Sequence, residues 1–131
     1  MPSVLIETRR PYAATHEQAI MEAVHRALRD AFRIDAYDRV IRLVVHEPHR
    51  FECPPGKTTP DAFTRVSIDA FVGRSLEAKR NLYRGIVDNL EPLGIPKDHV
   101  TIALRELPLE NWGVRSGHAA CDVDLGFKIN V

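Results

Sequence analysis

The chain is expected to fold as an α/β (α+β) protein. A β-α-β unit occurs twice, giving one mainly parallel four-stranded sheet with two helices on one face. Three observations predict this. Strand-like and helix-like hydrophobic patterns alternate along the 131 residues. Two segments sixty residues apart, "DRVIRLVVHEP" (38–48) and "DHVTIALRELP" (98–108), share Asp, Val and a closing Pro. Thr15 and Ser75, both suited to start a helix, keep that same spacing. Two copies are too few for a solenoid, and parallel strands need crossover connections, which run right-handed.

Each element follows from its pattern. "PSVLIE" alternates as a strand over residues 3–8, and "RRPYAA" turns the chain. "THEQAIMEAVHRALRDAF" opens on a capping box, Thr15-x-x-Gln18, and repeats Ile20, Val24, Ala27, Leu28, Ala31 and Phe32 at helical spacing. "DRVIRLVVHEP" reads as a buried strand stopped by Pro48. These elements make the first unit, residues 2–48. Residues 49–63 form a long Pro-rich connection, of the kind that is often functional or mobile. The second unit, 64–108, repeats the order: "FTRVSIDAF" as strand, "RSLEAKRNLYRGIVDNL" as helix with Leu82, Tyr83, Ile86, Val87 and Leu90 on one face, and "DHVTIALRELP" as strand. A C-terminal segment, 109–131, completes a single domain spanning 1–131, a normal size for one core. The helices cover one sheet face only. Strands as apolar as "VIRLVV" need cover on the other, so copies are expected to pack sheet-face to sheet-face.

Composition narrows the function classes. Lys+Arg and Asp+Glu are both 18, so no basic field draws the chain toward nucleic acid or anionic lipid. No apolar run is long enough to cross a bilayer, and the start lacks a signal-peptide pattern. Cys53 and Cys121 lie far apart and form no CxxC, which fits a reducing, cytoplasmic setting. "HEPHRFE" gathers His46, Glu47, His49 and Glu52, but two histidines at i and i+3 across a proline converge poorly, and no metal is expected. Nothing in the sequence asks for a cofactor.

Pro2 poses the central question. Proline is tolerated as the first residue of a strand, where no ladder hydrogen bond is needed. Alternatively, removal of Met1 leaves Pro2 a free secondary amine, a base titrating near the range proton transfer needs. Arg42 is unusual on physical grounds, because it shares a strand face with Val40 and Val44 and a charge there needs a partner or a cavity.

"GRSLEAKRNLY" (73–83) and "ENWGVRSGHAA" (110–120) resemble the Gly-Arg-Ser helix start and the aromatic-Gly-hydrophobic segment of 4-oxalocrotonate tautomerase. "AVHRALRDAF" (23–32) and "DRV" (38–40) resemble the first half of malonate semialdehyde decarboxylase. Both enzymes belong to the tautomerase superfamily, and the resemblance spans nearly the whole chain, weakest in 49–63. It implies the tautomerase fold, a homotrimer, and catalysis by an N-terminal proline, here Pro2. It implies that Arg74, at the turn into the second helix, grips a substrate carboxylate, a task suited to a guanidinium fork. Arg42 aligns with a second substrate-binding arginine, with an interface ion pair as the competing reading. Trp112 aligns with an aromatic pocket wall, or is a core tryptophan. Asp38 and His25 match decarboxylase positions. Asp98 recurs at the place equivalent to Asp38, so a turn role explains both copies, and a buried histidine explains His25.

The chain also departs from its relatives. Val72 stands where the decarboxylase has a further arginine, and Phe71 where cis-3-chloroacrylic acid dehalogenase has one. Thr64 begins the second unit where a duplicated proline would stand. The expected function is therefore keto–enol tautomerisation of a small 2-oxo or 2-hydroxy carboxylate. The rivals are decarboxylation, hydration or dehalogenation on the same amine, and a trimeric binding protein without turnover.

Overall fold

The computed structural model describes residues 2–131. The expected removal of Met1 falls outside the described residues. In chain order the elements are β1 (Ser3–Thr8), α1 (Ala14–Phe32), β2 (Val40–Val45), β3 (Thr64–Phe71), α2 (Leu76–Leu90), β4 (Val100–Leu107) and the short strands β5 (Gly113–Val114) and β6 (His118–Ala119). The main sheet runs β2-β1-β3-β4. Within each unit the strands are parallel, β1 with β2 and β3 with β4, while the two units meet through antiparallel β1 and β3. The two units are thus joined back to back, as about a local two-fold axis.

Alternation along the strands divides the sheet into two faces. Val4, Ile6, Val66 and Ile68 are buried under α1 and α2, with Ile20, Val24, Leu28, Leu82 and Ile86 opposite them. Each such Ile or Leu is worth about 1.5–3 kcal/mol of burial. The helices approach closely at Gly85, where a Cβ would stand 3.3 Å from that of Ala27. Val40, Arg42 and Val44 point to the other face, where they lie in register with Ser3, Leu5 and Glu7. Val40 and Val44 remain 43% and 40% exposed there, so this face is open in the single chain.

Two local expectations are corrected. Thr15 does not cap α1. The helix starts one residue earlier, behind Ala13, which makes no side-chain cap. Glu17 instead accepts the Tyr12 amide at 3.3 Å. Ser75 does cap α2, its Oγ accepting from the Ala78 amide at 3.1 Å. The strands β2 and β4, expected to be buried, are the edges of the sheet and only partly covered. Their continuous apolar runs answer to one covered face and one open face, a pattern that composition alone does not distinguish from burial on both. Among the described residues, no helix is long and apolar enough to cross a membrane. Cys53 and Cys121 are free.

Candidate active site

The register brings one set of residues to one end of the sheet. Ser3 pairs with Val40 on one side and Asp69 on the other. The residue before it, Pro2, is buried, flanked by the start of β2, which Asp38 precedes, and by the end of β3, which carries Phe71 and leads to Arg74. A cavity of about 240 Å³ opens beside them, lined by Asp35, Asp38, Phe71, Arg115, Leu125 and Phe127 among others. Pro2 and Arg74 stand behind this lining rather than in it.

Arg74 is only 5% exposed. Its guanidinium lies over the Phe32 ring, 4.8 Å from the centroid, and Nη1 donates to the Phe71 carbonyl at 3.3 Å. Nε and Nη2 are buried with no partner among the described residues. Burial pushes this guanidinium below the usual arginine range, and the carboxylates of Asp38 and Glu106 work against that shift. Buried charged donors left unpaired are costly. A carboxylate arriving at these two nitrogens would remove that cost and meet a fork shaped for it.

Asp38 lies on the loop between α1 and β2. Its amide donates to the Asp35 carbonyl at 3.0 Å, which folds both acids toward the cavity wall they share. His25 is fully buried in α1. Its Nε2–H donates to the Ala36 carbonyl at 3.2 Å, and burial lowers its pKa, keeping the ring neutral. His25 therefore steadies the loop that presents Asp35 and Asp38 and does not line the cavity. Trp112 meets Phe71 edge to face, ring centroids 5.0 Å apart. It backs the cavity wall that Phe71 forms. Arg42 sits opposite Leu5 on the open sheet face, apart from this cavity.

Sequence reasoning missed Arg115, Leu125 and Phe127. The C-terminal segment folds back along the sheet end: Ser75 donates to the Val131 carbonyl at 2.8 Å, and Ile129 lies against Gly73. Arg115 clamps it, donating from Nη1 and Nη2 to the Asp124 and Leu125 carbonyls. "ENWGVRSGHAA" contained Arg115, but nothing local in it signals this contact. The 49–63 connection contributes no lining residue to this cavity. Within "HEPHRFE", His46 contacts Glu7 at 3.0 Å and His49 accepts from Arg50 at 3.3 Å.

Comparison with known proteins fits this geometry. The family model described as "Tautomerase enzyme" matches residues 38–115, more than half of the chain. The chain belongs to the tautomerase family. This tautomerase-family chain is similar to FG41 malonate semialdehyde decarboxylase inhibited by 3-bromopropiolate, at 26% identity over 89% of this chain and 92% of that one, with a TM-score of 0.80. Malonate semialdehyde decarboxylase, described with decarboxylase and hydratase activities, shares the fold at 23% identity, 93% and 99% coverage and a TM-score of 0.82. A fused 4-OT wild-type asymmetric trimer does so at 16%, 92% and 97% coverage and 0.76. No curated protein sequence matches the tautomerase-family chain.

Proposed function

We propose that this chain interconverts the keto and enol forms of a small 2-oxo or 2-hydroxy carboxylate, with the Pro2 amine, freed by loss of Met1, as the proton carrier. The observation that carries this reading is the buried Arg74 guanidinium with two unpaired donors, next to the sheet end where Pro2 lies. Arg74 holds the substrate carboxylate. Pro2 nitrogen takes a proton from the carbon beside the carbonyl and returns it to oxygen or carbon, so nothing is gained or lost overall. The fixed positive charge of Arg74 stabilises the enolate as it forms, the stage at which a preorganised cation helps most. The walls supplied by Phe71, Leu125 and Phe127 suit a substrate with an apolar or aryl body. Copies assemble as a homotrimer through the open sheet face, in keeping with the trimeric 4-OT neighbours. On that face Arg42 would serve a neighbouring copy's cavity.

A second reading is favoured by Asp38. A carboxylate in the cavity raises the pKa of a nearby amine and can hold a water, which suits decarboxylation or hydration of a malonate semialdehyde-like substrate. Assaying the purified protein on phenylenolpyruvate and on malonate semialdehyde separates the two. Turnover of the first, falling about 100-fold or more in Pro2→Ala, is the expected result. Turnover of malonate semialdehyde alone would reject tautomerisation in favour of the second reading.

A further inference from the structure

A second cavity lies at the opposite end of the sheet, where β1 leads into α1. Ala62 lies two residues before β3 at this end, and Thr64, the first residue of β3, stands where a duplicated proline would. Residues 10–13 carry the chain from β1 into α1, and Leu93 and Gly94 close the turn that follows α2. These residues enclose an open space of about 360 Å³, lined by Arg10, Tyr12, His16, Ala62 and Leu93 among others.

Its lining carries different charges from the first cavity's. Asp35 and Asp38 line the first, whereas no carboxylate lines the second. Two acids stand outside the lining but close by: Asp61, 3.7 Å from Arg9, also acts on the Tyr12 hydroxyl, and Glu17 accepts the Tyr12 amide at 3.3 Å. Arg10, Tyr12 and His16 form a stack. The Arg10 guanidinium carbon is 4.9 Å from the Tyr12 ring centroid, and the Tyr12 and His16 rings are 4.9 Å apart and nearly parallel. His16 is pinned by its Nε2 contact with the Leu93 carbonyl at 2.8 Å. A guanidinium stacked by its face keeps its in-plane donors for another group, and Arg10 has no carboxylate partner among the described residues. Tyr12 stays protonated, because burial raises its pKa more than Arg10 lowers it. The first turn of α1 borders the space through Ala13 and His16, and Ala13 supplies no side-chain cap to the helix amides.

We infer that this second cavity binds a small organic carboxylate through the Arg10 fork, beside the Tyr12 hydroxyl and the first turn of α1. No proton transfer follows there. Residue 62 is mid-chain, and its nitrogen is an amide already donating to the Thr59 carbonyl at 2.9 Å.

The test uses the full-length protein, ¹⁵N-labelled, with phenylacetate as an unreactive probe. The amides of Ala62, Leu93 and Gly94 should shift saturably, on a curve separate from those of Gly126 and Phe127 in the first cavity. Arg10→Ala should weaken the first group of shifts at least tenfold, Arg10→Lys less so. Turnover and the shifts at Gly126 and Phe127 should stay as in the parent. Arg10 is exposed, so its loss leaves the core intact. The inference is overturned by absence of saturable shifts at Ala62, Leu93 and Gly94, by their persistence in Arg10→Ala, or by inorganic phosphate reproducing them at equal concentration. None of these outcomes touches the first cavity, whose failure would show instead at Gly126 and Phe127 or as unchanged turnover in Pro2→Ala.

Discussion

Asp38 and Asp98 occupy equivalent places in the two units and have parted in use. Asp38 lines the cavity beside Pro2 and Arg74. Asp98 is exposed and accepts from His99 Nδ1 at 2.7 Å, which holds its carboxyl below the usual range. With Nδ1–H committed, His99 Nε2 accepts the Thr59 amide at 3.1 Å and ties down the 49–63 connection. One end of the sheet carries Pro2, the residue proposed above to act as an amine. The other carries a continuous chain, and its aspartate serves structure. The two units supply similar frames, and under the proposed function only the end that holds Pro2 moves protons.

The largest contrast is expected between the arginines. Arg74→Ala should lower kcat/KM about 100-fold, near 3 kcal/mol, the upper range for hydrogen bonds to a charged group. Arg10→Ala should leave it unchanged. Equal losses in the two variants, measured by steady-state kinetics, would break the distinction between the ends.

A smaller contrast separates the aspartates. A nearby anion favours the protonated amine, so removing it lowers the amine's pKa. The acidic limb of the kcat/KM profile should therefore move to lower pH in Asp38→Asn, by about one unit or more. Asp98→Asn should leave that profile in place and speed hydrogen exchange at the Thr59 amide. A profile that responds to Asp98 and ignores Asp38 would reverse the assignment.

The smallest contrast lies at the helix starts. Ser75→Ala should cost about 1 kcal/mol and lower Tm by roughly 4 °C. Thr15→Ala should change Tm by less than about 1 °C, since Thr15 caps nothing. Thermal melts of the two variants decide it.

How much of this was legible depends on where the information lies. The six main elements could be read because hydrophobic periodicity is local, and β1 has the bounds that "PSVLIE" predicts. Ser75 could be read as a cap. Thr15 could not be rejected, because Ala14 extends the helix past it, and Glu17 binds back to the Tyr12 amide instead. That Pro2, Asp38 and Arg74 gather at one sheet end follows from the antiparallel pairing of β1 with β3, which no sequence window contains. Phe71 was noticed only as a departure from a relative, yet it forms a wall of the cavity and bonds Arg74 through its carbonyl. Arg115, Leu125 and Phe127 gave no signal, since the C-terminal segment has no helical or strand period and is placed by long-range contacts. Arg42 reads in the sequence as an odd charge on an apolar strand face. In the single chain it lies on the open sheet face and outside the cavity.

The account rests on a secondary amine at the head of the chain, and retaining one extra residue there tests it most directly. Intact mass spectrometry can separate chains that begin at Pro2 from chains in which a residue still precedes it, and each preparation can be assayed on phenylenolpyruvate. Activity is predicted to track the fraction of chains that begin at Pro2, reaching background when that fraction is zero. Equal turnover by chains whose Pro2 nitrogen remains an amide would contradict it.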